Sequence, residues 1–213
     1  MELTNNKILI TGGASGIGLG LTERFIRENN TVIICGRRES VLKEVADKFP
    51  SVITKVCDLS VEAERVALFE WVSENHADLN VLVNNAGVQQ WMSIAAEDFF
   101  QRAKNEIVTN IEAPLHLMSL FINLESLNTI INVTSGLSFV PFTKVPVYSA
   151  TKTMITNKSK CPACGLGSVF PSCFAIQPVR HDHSLHIAML FIFAPGWGTH
   201  LVFYLIIDTN LYH

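Results

Sequence analysis

Tyr148-Ser-Ala-Thr-Lys152 sets a phenol and an ammonium four residues apart. On a helix, such residues share a face one turn apart. A free tyrosine, with a pKa of about 10, is a poor acid or base at neutrality. A nearby cation favours the phenolate, so the spacing predicts a lowered pKa and a tyrosine able to donate or accept a proton. Ser135 follows the apolar run 129–134 and falls at a strand's carboxyl end, where open α/β sheets place ligands. Its hydroxyl can bind a substrate oxygen there. Asn84-Asn-Ala-Gly87 closes the run Val81–Val83 at the same edge. Asn110 stands four residues before Pro114. Proline has no N–H and its ring crowds that carbonyl, which leaves the Asn110 C=O free to hold a water beside Lys152. Taken singly, these features also describe a surface Tyr–Lys pair and a kinked helix.

Thr11-Gly-Gly-Ala-Ser-Gly-Ile-Gly18 directly follows the apolar Lys7-Ile-Leu-Ile10. A strand, a glycine-rich turn and a helix start form a pyrophosphate cradle: missing Cβ atoms let the backbone approach, and the helix N-terminus attracts the anion. The spacing Gly12, Gly16, Gly18, with Ser15 and Ile17 between, is T-G-x-x-x-G-x-G.

The elements that must position these groups follow from periodicity. Short apolar runs at 7–11, 31–35, 52–57, 81–84 and 129–134 suit strands buried on both faces. Helical patterns lie between them: Leu19, Leu21, Phe25 and Ile26; then Val41, Leu42, Val45 and Phe49; then a stripe over 61–72 that mixes in Arg65. A longer helical stretch runs from Asp98 to about Leu124, interrupted at Pro114. This alternation predicts an α/β fold with a doubly wound, Rossmann-like parallel sheet and right-handed crossovers. The whole of 1–213 is expected to form one domain, with 1–157 as its clear Rossmann-type region.

Thr11–Gly18, Asp58-Leu59, Asn84–Gly87, Asn110, Ser135 and Tyr148/Lys152, in this order and at these separations, resemble the short-chain dehydrogenase/reductase family over residues 5–155. The resemblance implies an NAD(P)-dependent oxidoreductase acting on a small carbonyl or alcohol. It implies Tyr148 as acid/base, Ser135 orienting the substrate oxygen, and Lys152 lowering the tyrosine pKa and holding the nicotinamide ribose. Asn110 would support the proton relay. Asp58 and Leu59 would meet the adenine, and Asn84, Ala86 and Gly87 would line the cofactor cleft. Family dimers pack the helices that carry Asn110 and Tyr148/Lys152, but Cys161-Pro162 cuts the second short, so the resemblance leaves a homo-oligomer open.

Cofactor choice is written at the end of the second strand. Binding of a ribose 2′-hydroxyl favours an acid there, but Thr31–Cys35 leads into Gly36-Arg37-Arg38. Guanidinium groups suit a 2′-phosphate, so NADP(H) is favoured over NAD(H).

The net charge of −3 makes no electrostatic case for nucleic acid. Met1–Lys7 has no apolar run, which predicts no signal peptide, and five cysteines suggest reduced thiols in a cytoplasmic chain. Residues 161–213 break with this pattern: three charged side chains, four prolines, three cysteines and five of the seven histidines. Cys161-x2-Cys164, Cys173 and His181/His183/His186 invite a zinc reading but lack a second clean pair. Leu185–Ile207 is apolar, but His186, Pro195 and Gly196 interrupt it as a membrane span. Phe191–Thr199 resembles the family's strand and Pro-Gly turn beside the nicotinamide, displaced by about a dozen residues, and Phe203–Ile207 is a candidate last strand. A tail of this kind predicts weaker packing after Cys161. It keeps open the alternative of a catalytically impaired or non-catalytic nucleotide-binding protein with a replaced C-terminus.

Overall fold

The computed structural model describes residues 4–160, 172–181, 184–193 and 201–205, with side chains to Thr156. Five parallel strands alternate with helices: β1 (Lys7–Thr11), α1 (Gly16–Arg27), β2 (Thr31–Gly36), α2 (Glu39–Lys48), β3 (Ile53–Val56), α3 (Glu62–Asn75), β4 (Val81–Asn84) and β5 (Thr129–Val133). Between β4 and β5 run α4 (Phe99–Ile107), a π-helical turn (Val108–Glu112) and α5 (Ala113–Phe121). A 3₁₀ turn (Gly136–Ser138) and α6 (Pro146–Lys160) follow β5. The sheet order is β3-β2-β1-β4-β5, continued by β6 (Ser172–His181), β7 (Ser184–Phe193) and β8 (Leu201–Leu205).

Strand alternation explains the two-sided core. Ile8 and Ile10 of β1 and Val32 and Ile34 of β2 meet Leu21, Phe25, Leu42 and Val45 of α1 and α2. Leu9, Ile33 and Cys35 point the other way, with Leu68 and Val72 of α3 and Leu117 and Phe121 of α5. Each such aliphatic side chain contributes about 1.5–3 kcal/mol when fully buried. β3 departs from the expectation of two covered faces: three of its residues are half-buried and Val56 is exposed. It is the edge strand and pairs with β2 alone.

Pro114 does not break its helix. It stands in the first turn of α5, and the wider π turn ends just before it, absorbing the missing N–H.

Beyond β5 the sheet continues in a different sense. β6 is parallel to β5, whereas β7 and β8 run antiparallel. The Leu185–Ile207 stretch therefore supplies β7 and β8 rather than a helix. Phe191–Phe193 closes β7, but β6, not β7, is the neighbour of β5. Pro195–Thr199, Cys161, Cys164 and His183 lie outside the described residues. Among the described residues, no helix is long and apolar enough to cross a membrane, and no three His, Cys, Asp or Glu side chains gather as metal ligands.

The strand order reverses between β1 and β4, so their carboxyl ends open a crevice there. At its lip, Gly12 and Gly16 hold φ of +65° and +53°, which L side chains rarely adopt. Gly18 is buried so tightly that a Cβ would lie 2.2 Å from the Gly12 carbonyl oxygen. Gly18→Ala therefore forces the turn off its path and is expected to destabilise the fold by about 1–3 kcal/mol in denaturant unfolding. A variant as stable as the parent would show that the turn has room to relax.

Candidate functional site

Thr11 ties the two strand ends that flank the crevice. Its hydroxyl donates to the Val83 carbonyl (3.2 Å) and accepts from the N–H groups of Asn85 (3.0 Å) and Ala86 (3.0 Å). The Asn85 amide donates to the Thr11 carbonyl at 2.9 Å and the Gly12 carbonyl at 3.3 Å. Asn85 thus anchors the glycine turn, a role the sequence reading did not assign to it. Asn84 was expected in the cleft, but its amide donates to Asn132 Oδ1 at 3.0 Å inside the sheet. The two are register partners on β4 and β5, so their side chains leave the strands on one face.

The cleft along this edge has a volume of about 470 Å³. Gly12, Ser15 and Ile17 form one end, where α1 begins with no acidic residue in its first turn. Arg37, Arg38, Asp58 and Leu59 line a second wall. Both arginines are exposed at the start of α2. The Asp58 carboxylate is turned to its own loop, accepting from the Ser60 N–H (2.9 Å) and hydroxyl (2.7 Å). The Leu59 carbonyl accepts from Arg65 Nη1 at 2.6 Å. Arg65 is 1 % exposed and also reaches His116 Nδ1 (2.9 Å) and Glu112 Oε1 (2.6 Å). It binds this wall to the π turn and α5. An apolar stripe interrupted by one arginine was the only sequence sign of it.

Ala86, Gly87, Tyr148 and Lys152 form the far end. The Ser135 hydroxyl is hydrogen-bonded to Tyr148 and accepts from the Leu137 N–H at 3.2 Å. Lys152 is 6 % exposed, with Nζ donating to the Val133 carbonyl at 2.9 Å and lying 5.6 Å from the Tyr148 ring centroid. Asn110 is buried. Its Oδ1 accepts from the Val88 N–H at 2.8 Å, and its Nδ2 donates to the Val88 carbonyl (2.8 Å) and Thr151 Oγ1 (3.2 Å). Its side chain, rather than its carbonyl alone, ties the π turn to α6 and to the segment after β4. A Cβ on Gly87 would stand 3.3 Å from Asn110 Oδ1 and 3.4 Å from Lys152 Nζ, so glycine keeps this corner open.

The electrostatics correct one expectation. Burial pushes the Tyr148 phenol above its ordinary range, the Ser135 hydrogen bond draws it back, and the Glu106 carboxyl raises it further. Burial pulls Lys152 down to about 8. The lowering by Lys152 that the spacing predicts is not among the influences on the phenol: burial, which spacing does not reveal, dominates. Cys35 and Cys57 are free and buried, and burial pushes the Cys57 thiol up to about 12, so neither offers a reactive thiolate here.

A family model described as short chain dehydrogenase matches residues 6–168. An uncharacterised oxidoreductase of Bacillus subtilis, DltE, is 44 % identical over 164 residues, covering 75 % of this chain and 65 % of that protein. This chain therefore spans about two thirds of that relative's length. A tropinone reductase homologue of Arabidopsis thaliana is 31 % identical over 188 residues, covering 83 % of this chain and 69 % of its own. Among solved structures, 3-ketoacyl-(acyl-carrier-protein) reductase from Brucella melitensis, complexed with NADH, superposes with a TM-score of 0.69 at 25 % identity. That match covers 75 % of this chain and 68 % of the reductase.

The depressed Lys152 pKa carries a stability consequence. Its folded value of about 8 lies below the unfolded value of 10.5, so the unfolded chain binds more protons between the two. The group's stabilising contribution is complete above pH 10.5 and is lost as pH falls through 8. Lys152→Met removes this dependence. Its stability relative to the parent should fall by roughly 3 kcal/mol between pH 7 and pH 10.5, measured by denaturant unfolding. Parallel stability curves for the two chains would show that the ammonium is hydrated.

Proposed function

The chain belongs to the short chain dehydrogenase family, and on that premise we propose that it is an NAD(P)-dependent oxidoreductase. It moves a hydride between nicotinamide and the carbonyl or alcohol carbon of a small molecule, with Tyr148 exchanging the proton. The observation that carries this reading is the meeting of Tyr148, Ser135 and Lys152 at one end of a cleft whose other end is a glycine cradle. The cradle suits a pyrophosphate: a side chain at Gly18 would collide with Gly12, and the open space at Gly16 faces the start of α1. When bound, the nicotinamide supplies the hydride chemistry.

The chain's own groups divide the remaining work. Ser135 donates to the substrate oxygen and fixes it beside the phenol. In reduction, the Tyr148 O–H bond breaks and its proton completes the alcohol; in oxidation, the phenolate takes that proton back. A phenol held above its ordinary range is protonated at neutrality but is a weaker acid, so proton donation relies on stabilisation of its phenolate by Lys152. Lys152 stabilises the phenolate and holds the nicotinamide ribose. The Asn110 carbonyl, whose ordinary i+4 donor is replaced by Pro114, would hold a water that leads the proton onward. Asp58 and Leu59 receive the adenine, beside Arg37 and Arg38. Those two arginines, with no acid at the end of β2, support NADP(H) over NAD(H).

Thermal-shift titration and turnover with NADPH and NADH test this reading. NADPH should bind more tightly, and Arg37→Ala/Arg38→Ala should weaken it by about tenfold or more while sparing NADH. Equal losses for both cofactors would remove the arginines as discriminators. Tyr148→Phe should abolish carbonyl reduction and leave cofactor binding nearly intact. Undiminished turnover in that variant would overturn the mechanism, and binding without turnover in the parent would make the chain a non-catalytic nucleotide-binding protein.

A further inference from the structure

One turn before Asn110, on the same helical run, stands Glu106. It is 0 % exposed. One carboxyl oxygen accepts from the Gln90 N–H; the other, Oε2, is buried with no hydrogen-bond partner. A carboxylate satisfied on one side only is costly inside a protein. Such a group needs an explanation that packing does not supply.

Its position supplies one. α4 with its π turn, and α6, each lead out of a strand of the same parallel sheet, so the helices run in one direction and pack together. Their register is fixed where Asn110 meets Thr151, the neighbour of Lys152. One turn earlier on each helix brings Glu106 beside Tyr148. Glu106 and Asn110 also hold alternate residues of the segment after β4, Gln90 and Val88, while Gln89 between them lines the cleft.

We propose that Glu106 is a positioning residue of the active site: its carboxyl pins the segment that presents Gln89, and its negative charge keeps the adjacent Tyr148 phenol protonated. The second half rests on the reading of Tyr148 given above. Burial pushes the Glu106 carboxyl itself upward, with the Gln90 N–H opposing, and its charge in turn raises the Tyr148 phenol. The other charged groups around the pair are engaged or exposed. On α6, Lys152 is bonded to the Val133 carbonyl. On α4, Arg102 pairs with Asp98 and Lys104 is exposed. In the π turn, Glu112 pairs with Arg65, and before α6 Lys144 lies over the Trp91 ring. Glu97, in the segment leading to α4, is exposed.

Glu106→Gln keeps an acceptor for the Gln90 N–H and removes the charge. Tyrosinate absorbance is titrated on the full chain, with Tyr148→Phe counterparts subtracting Tyr204 and Tyr212. The Tyr148 midpoint should move to lower pH. The alkaline limb of NADPH-dependent reduction should move with it, at unchanged KM for NADPH. Glu106→Leu, which lacks both charge and acceptor, should give the same titration shift and also raise KM for the carbonyl substrate. An unmoved Tyr148 midpoint in either folded variant overturns the proposal. A moved midpoint with an unmoved rate profile supports the Glu106–Tyr148 coupling and fails the role of Tyr148 as proton donor.

Discussion

The site is organised around an ammonium kept out of water. Lys152 donates a hydrogen bond to the Val133 carbonyl at the last residue of β5, and almost no solvent reaches it. A cation in that position is tolerated only where surrounding dipoles replace hydration. The constraint spreads outward. A Cβ at Gly87 would press on Asn110 Oδ1 at 3.3 Å and come within 3.4 Å of Nζ. Asn110 must bridge Val88 to α6, since that wall closes over the lysine. The π turn sets the Asn110 side chain inward while Pro114 begins the next helix.

A second buried cation does the equivalent work at the other wall. Arg65 joins the Leu59 carbonyl to Glu112 on the π turn and His116 on α5. Its partner Glu112 is about half exposed, so the ion pair itself is partly screened. The bond to the Leu59 carbonyl is the one that shapes the cleft. The same π turn therefore receives Arg65 from one wall and projects Asn110 toward the other, so a shift in the turn moves both.

The five-stranded sheet and its four crossovers were legible because buried parallel strands write themselves as apolar runs; β1 and β4 fall at 7–11 and 81–84, as periodicity predicts. The glycine turn and the Tyr148/Lys152 pair were legible because their spacing is local. Contacts set by register between distant strands were not. Nothing in Asn84-Asn85 says which amide turns toward the crevice: strand alternation sends Asn84 to Asn132 and leaves Asn85 for Thr11. Arg65 and Glu106 escaped for a related reason. Charged residues on helical stripes are ordinarily solvated, and only tertiary packing of α3 on α5 and of α4 on α6 buries them. After α6, composition carried too little period to separate β6 from β7, so the strand beside β5 was assigned to the wrong segment.

Burial links these observations to chemistry. A charge at the surface acts weakly on its neighbours because water and salt screen it, whereas the same charge inside acts through a lower effective dielectric. Lys152 and Glu106 are both covered, and Tyr148, half-buried, stands on α6 one turn before Lys152. A phenol so placed responds to small changes in either neighbour far more than a surface tyrosine would. Fixed charges of opposite sign on two packed helices need no reorganisation when a proton leaves, because packing has already set them in place. On the proposed reading of Tyr148, the stability given up by covering an ammonium and a half-satisfied carboxyl would be the physical source of control over one hydroxyl group.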